Sequence, residues 1–214
     1  MDEEVTIIDS NTRNEKIKNF FINNKKNIIL GFSIILIAII GLLAMKEIKE
    51  RNKIKLANQF NITTINFKTE DKQTTINQLI KLINENDVTY SPLALYFLID
   101  NNLIDNKNEI NSLFDELINK TNLDEEIKNL IIYKKALFNS NHSSENDLLQ
   151  ILNPIINSES IWKSHSLYLM AEYFYSKNQK KKAKEFFNQI LLIPNANKGI
   201  MVETQKRLNR DFGE

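Results

Sequence analysis

Residues 28–45 read IILGFSIILIAIIGLLAM, eighteen positions from Ile28 to Met45 without a charged side chain. At about 1.5 Å of rise per residue, a helix of this length covers roughly 27 Å, close to the hydrocarbon thickness of a bilayer. Thirteen of the positions are Ile, Leu, Phe or Met. Each contributes roughly −0.3 to −0.6 kcal/mol near the bilayer centre, so insertion is favourable by several kcal/mol. The stretch is expected to be a single transmembrane helix. A cleaved leader fits poorly, because the run is long and ends in Ala44-Met45-Lys46 rather than in a small-x-small site. A core helix of a soluble protein fits poorly too, since a helix apolar on every side needs a large core around it.

On the N-terminal side, Met1 to Asn14 is acidic and polar and is expected to be a mobile tail. From Glu15 the spacing of Ile17, Phe20 and Phe21 among Lys16, Lys18, Lys25 and Lys26 describes a short amphipathic helix. Phe20 and Phe21 would sit at the acyl boundary, with Lys25 and Lys26 at the phosphates. The alternative is that this segment extends the anchor helix. The positive-inside rule does not orient the span: Arg13, Lys16, Lys18, Lys25 and Lys26 precede it, and Lys46, Lys49, Arg51, Lys53 and Lys55 follow it.

On the C-terminal side, Lys46 to Phe60 continues as a charged helix with Glu47 and Arg51 at i, i+4. Thr63, Thr64 and Thr69 read as a looser join. The organisation expected is therefore a tail with a short amphipathic helix at 1–27, the span at 28–45, a juxtamembrane helix and linker at 46–68, and one helical domain at 69–214.

Glycine scarcity sets the class of that domain. Of four glycines, Gly31 and Gly41 lie in the span and Gly213 near the end, which leaves Gly199; the prolines are Pro92, Pro154 and Pro194. A β-sandwich or barrel needs turn residues every eight to twelve positions, so the domain is expected to be all helix. Ile76, Leu79, Ile80 and Ile83 give a first one-sided stripe. Ser91-Pro92 reads as an N-cap followed by a proline that needs no amide partner, opening a helix with Leu93, Tyr96, Phe97 and Leu98. Ile110, Leu113, Phe114, Leu117 and Ile118 form its partner. A second hairpin has Asp124 as cap, with Ile127, Leu130, Ile131, Ala136 and Phe138. Ser144 and Asp147 open its second helix, which carries Leu148, Leu149, Ile151 and Leu152 and stops near Pro154. A third has Trp162, Leu167, Met170, Ala171 and Phe174, then Ala183, Phe186, Phe187 and Ile190, stopped by Pro194. Ile200, Thr204 and Leu208 suit a single closing helix.

Ala136 and Ala171 are about 35 residues apart, the period of a helix-turn-helix repeat. Leu167, Ala171, Phe174, Ala183 and Phe187 fall at tetratricopeptide spacing, where a small residue lets two helices approach and an aromatic fills the space beside it. The second hairpin fits loosely, and the first has Ile99 where the small residue belongs. The fold expected is a tetratricopeptide-like, right-handed solenoid of helical hairpins.

The same residues carry a family resemblance. Glu15-Lys16-Ile17-Lys18-Asn19-Phe20-Phe21, then Asn24-Lys25-Lys26, a single span, a charged juxtamembrane helix and irregular hairpins to about residue 210 resemble the bacterial ancillary SecYEG translocon subunit family. The resemblance implies a cytoplasmic N-terminus and a periplasmic repeat domain in the inner membrane. It also implies partnership with the SecYEG translocon and a membrane-anchored periplasmic chaperone. The chain is richer in lysine and asparagine, and poorer in alanine, than the family pattern.

Chemical signatures are sparse. The net charge of +1 gives no footprint for nucleic acid, and the absence of cysteine excludes disulfides, thiolate metal sites and cysteine nucleophiles. His142 and His165 have no spacing that indicates a shared metal, and there is no glycine-rich phosphate loop or G-x-S-x-G elbow. No catalytic residue, cofactor or small-molecule substrate is expected. Two features stand out as partner-binding candidates. Lys180, Lys181 and Lys184 belong to a basic cluster with Lys177 and Lys182 at the third turn, where the plain reading is a solvated turn. Tyr168, Tyr173 and Tyr175 cannot all face inward on one helix, so one or more would line a groove. The function expected is a membrane-anchored scaffold beside the translocon, or else an adaptor of envelope biogenesis or cell division.

Overall fold

The computed structural model describes the backbone of residues 2–68 and 71–213 and the side chains of 13–68 and 71–213. Ten α-helices and no strand are found among the described residues: α1 (Asp2–Asn23), α2 (Lys25–Asn66), α3 (Lys72–Asn84), α4 (Tyr90–Asp100), α5 (Lys107–Lys120), α6 (Glu125–Asn139), α7 (Glu145–Ile156), α8 (Lys163–Ser176), α9 (Lys180–Leu191) and α10 (Lys198–Phe212). The protein is all-α, as the glycine scarcity dictates. It divides into two compact units between Lys55 and Leu56.

The first unit comprises α1 and most of α2. α2 is the one helix among the described residues long and apolar enough to cross a membrane. Within the 28–45 stretch every residue but Gly31 is exposed, a continuous apolar surface far beyond what a soluble face carries. α1 starts at Asp2, so the segment expected as a mobile tail is helical, and the amphipathic segment from Glu15 is its second half. A single non-helical residue, Asn24, separates α1 from α2. The ladder still passes through it, because its amide donates to the Phe20 carbonyl at 3.0 Å and its own carbonyl accepts from Ile28 at 2.9 Å. The reading in which α1 extends the anchor helix is thus the local geometry observed.

The second unit starts earlier in the chain than residue 69. Leu56, Phe60 and Phe67 pack on the core, and Thr63, only 3% exposed, donates its hydroxyl to Gln78 Oε1 at 2.8 Å. The expected loose join at Thr63 and Thr64 is the end of α2, held by apolar burial and this cross-helix bond; Thr69 lies outside the described residues.

Caps place most of the remaining helix starts. Asp71, Asn106, Asp124, Ser144 and Asn197 each accept a backbone amide of the following turn. Ser144 and Asp147 form the reciprocal capping box read from the sequence. Ser91 does not act as the expected N-cap. It is fully buried and ties α4 to the end of α3, donating to the Leu82 carbonyl at 2.7 Å and accepting from the Asp87 amide at 2.9 Å. Asp87 performs the capping instead, accepting from Thr89 and Tyr90 amides at 2.9 and 2.7 Å. Pro154 does not stop α7, which runs to Ile156 because the buried Leu152 and Ile155 carry the last turn into the core.

The turns show how a chain with so little glycine ends its helices. Asn86, Asn102 and Asn178 adopt φ of 53°, 50° and 58°, the left-handed region normally given to glycine. After α4, the Leu103 amide reaches the Leu98 carbonyl at 2.9 Å and Asn102 reaches Ile99 at 3.1 Å, a complete Schellman pair. After α8 the same bonds join Gln179 to Phe174 at 2.9 Å and Asn178 to Tyr175 at 3.0 Å.

Successive helices from α3 to α10 pack on one another, most extensively α3 on α4, α6 on α7 and α8 on α9. The expected α4–α5 hairpin is therefore not the tightest grouping at that end: α4 pairs first with α3. Helices two apart also touch, α3 with α5, α6 with α8 and α8 with α10. Strict alternation would continue α3, α5, α7, α9, so the stacking side changes between α5 and α6. The core divides through α6, which gives Ile131 to one cluster and Ile132 and Ala136 to the other. One cluster centres on Leu79, Leu95, Phe114 and Leu117, the other on Leu152, Met170, Phe174 and Phe187, and Ile118 packs against both. Each fully buried phenylalanine contributes on the order of 1.5–3 kcal/mol.

Candidate interaction surface

The Schellman turn between α8 and α9 and the packing of α10 on both helices position the residues singled out in the third hairpin. Tyr168, Glu172 and Tyr175 follow one another at i, i+4, i+7 and share a face of α8. α10 supplies Arg207 and, one turn on, Asp211. The Arg207 guanidinium holds the Glu172 carboxylate with two bonds, Nε to Oε1 at 2.8 Å and Nη2 to Oε2 at 3.0 Å. It also pairs with Asp211 through Nη1 and lies over the Tyr175 ring at 4.4 Å. Arg210 chelates the same Asp211 carboxylate and holds it below the usual carboxylate range. The Tyr168 phenol, its ring edge-on to Phe187 at 5.5 Å, is pushed up to about 12, first by burial and then by the Glu172 and Glu203 charges.

Tyr168 and Tyr175 are thus half-buried members of one aromatic and ionic face, and their rings are already engaged. Tyr173 stands apart. It is 8% exposed, donates its hydroxyl to the Ser143 carbonyl at 3.1 Å and packs edge-on to Phe174, so it belongs to the core. Glu172, Arg207 and Asp211 complete the face and were not singled out from the sequence. The signal that could have found them is the coincidence of Tyr168-x3-Glu172-x2-Tyr175 with Arg207-x3-Asp211 on neighbouring helices.

The lysines do not act as one cluster. Lys182 bonds both Glu145 oxygens at 2.8 Å and sits over the Phe174 ring at 4.9 Å, while Lys177 lies over Tyr173 at 5.6 Å. Lys184 is half-buried and partnered. Lys180 and Lys181 project to solvent, and Lys180 contributes to the positive field felt by Asp211.

In the first unit, the Phe20 and Phe21 rings meet edge-on at 6.0 Å and are about 60% and 56% exposed. Lys25 and Lys26, also exposed, open α2. Aromatic rings followed by ammonium groups at the mouth of an apolar helix are the pattern of an interfacial anchor.

His165 is a packing residue. Its ring stands 5.0 Å from Trp162 and 5.9 Å from Tyr133, and burial lowers its pKa. His142 lies in the turn between α6 and α7. No group of three or more metal-ligating side chains is found among the described residues. What the surface offers chemically is a set of exposed apolar side chains, Leu93, Leu137, Ile161, Leu192 and Val202, beside fixed charges. Leu192, 80% exposed, rims an open pocket of about 370 Å³ with Ile156, Leu167, Ile193 and the polar Glu159 and Lys163. No protein-family model, curated protein or solved structure matches the chain.

Proposed function

We propose that the chain is a single-pass inner-membrane scaffold whose helical unit, a tetratricopeptide-like solenoid interrupted between α5 and α6, lies in the periplasm. It binds proteins beside the Sec translocon and helps a periplasmic chaperone receive emerging chains. The observation that carries this reading is the pairing of an apolar helix exposed on every side with a separate, well-packed helical array bearing apolar and charged side chains on its surface. Helical arrays of this kind bind through extended faces rather than through covalent chemistry. The motif around Phe20-Phe21 and its place before the span support the translocon assignment and the inward orientation of the N-terminus.

The test is topological and then biochemical. A reporter active only in the periplasm, fused after Glu214, is expected to be active; an inactive fusion on a well-expressed protein reverses the orientation and removes the translocon reading. Purification in mild detergent is expected to recover translocon subunits or a periplasmic chaperone. Recovery of neither, with enrichment of the protein at the septum, would shift the assignment to a division adaptor.

A further inference from the structure

A pocket of about 220 Å³ opens where the stacking side of the helices changes. α4 supplies Tyr96, Ile99 and Asp100, α5 supplies Phe114, and α6 supplies Lys134, Leu137 and Phe138. Its floor is apolar, with the Phe114 and Phe138 rings 6.1 Å apart, and Leu137 stands at its edge 49% exposed. On the usual scale a cavity near 150 Å³ holds one benzene ring, so this volume suits one larger side chain.

Only two of its lining residues are charged, and they have opposite signs. The Lys134 ammonium lies 4.5 Å from the centroid of the Tyr96 ring and has no carboxylate partner among the described residues, whereas its neighbour Lys135 is tied to Asp115 at 2.7 Å. Asp100 is exposed and likewise has no cationic partner among the described residues. It lies one turn beyond Tyr96 on the same helix face, about 6 Å away between Cβ atoms, and both charges line the one pocket without forming an ion pair with each other. The Tyr96 hydroxyl itself is buried and has no hydrogen-bond partner among the described residues, so the pocket meets Tyr96 through its ring. An apolar floor under two separated, unneutralised opposite charges is complementary to a zwitterion with an apolar arm.

We propose that this pocket binds a free apolar α-amino acid of leucine or phenylalanine size. Its carboxylate meets Lys134, its ammonium meets Asp100, and its side chain lies on Phe114, Phe138 and Leu137. The site is a small-molecule site in its own right and does not depend on whether the helical unit also binds proteins.

The probe is L-phenylalanine, titrated into the full chain in lipid nanodiscs and followed by NMR of labelled isoleucine and leucine methyl groups. Saturable shifts are expected at Ile99 and Leu137 and none at Ile190, which lies in the other core cluster. L-Phenylalaninamide lacks the carboxylate and N-acetyl-L-phenylalanine lacks the ammonium, so each is expected to bind about tenfold or more weakly. Lys134→Gln is expected to weaken phenylalanine by the same factor while leaving the amide's affinity unchanged, and Asp100→Asn to do the corresponding thing for the N-acetyl compound. Absence of saturable shifts with the wild-type chain, or equal affinity for all three compounds, overturns the proposal. So does a pair of variants that weaken all three compounds alike.

Discussion

Two tyrosine-to-phenylalanine changes are expected to move stability in opposite directions, because the two hydroxyls differ in partners rather than in kind. The Tyr173 hydroxyl donates to the Ser143 carbonyl at 3.1 Å, joining α8 to the residue just before the α7 cap. Deleting it removes a hydrogen bond worth about 1 kcal/mol net and leaves a carbonyl short of a donor. The Tyr96 hydroxyl is buried without a partner, and burial pushes its phenol pKa up to about 12. Deleting it lifts the desolvation cost of an unpaired polar atom, about 1–3 kcal/mol, and keeps the ring in place. Tyr173→Phe is therefore expected to lower the unfolding free energy by about 1 kcal/mol and Tyr96→Phe to raise it by about 1. At roughly 2–4 °C per kcal/mol for a unit of this size, the two variants should melt about 4–8 °C apart. Urea unfolding of the full chain in nanodiscs, followed by circular dichroism and by Trp162 fluorescence, reads both. A Tyr96→Phe variant less stable than wild type by 0.5 kcal/mol or more would refute the reasoning, since it would mean that the hydroxyl has a partner.

At Asn102 and Asn178, alanine is expected to cost about 1 kcal/mol because a Cβ without a compensating amide is strained at positive φ, whereas glycine should be neutral within a few tenths. Thermal melts that rank alanine equal to glycine at both sites would show that these turns are not held in the left-handed region. A further expectation concerns alkali. The Tyr96 and Tyr168 phenols are raised to about 12 in the fold against 10 in the unfolded chain, so their contribution is fully present below pH 10 and is lost as pH rises toward 12. Stability measured across pH 9–12 should fall, and Tyr168→Phe should flatten part of that fall; an unchanged slope in that variant removes Tyr168 from the effect.

The all-helical class, the long apolar helix and the Asp124 and Ser144 caps were legible in the sequence because each rests on local physics. Ile28 to Met45 needs only length and apolarity, the Ser144–Asp147 box needs only its own turn, and the Ile76-Leu79-Ile83 stripe needs only the helical period. The face around Tyr168 was half legible: the tyrosines stood out, but Glu172, Arg207 and Asp211 become one site only when α10 returns alongside α8. The asparagines carry no signal of their own in the sequence, yet Asn86, Asn102 and Asn178 end helices where glycine is missing, and φ is not visible in a residue name.

Sequence alone thus determined that this protein has one helix long and apolar enough to cross a membrane and a helical unit, since hydrophobic length and period are properties of contiguous residues. Tertiary structure decided how the helices group. Ser91, read as a cap, became a buried tie to Leu82 because α4 packs back on the end of α3, and Lys135 found Asp115 because α6 packs on α5. The change of stacking side between α5 and α6, with its pocket, depends on which faces meet across the chain. Pairing energies between distant residues set that, and no local pattern encodes it.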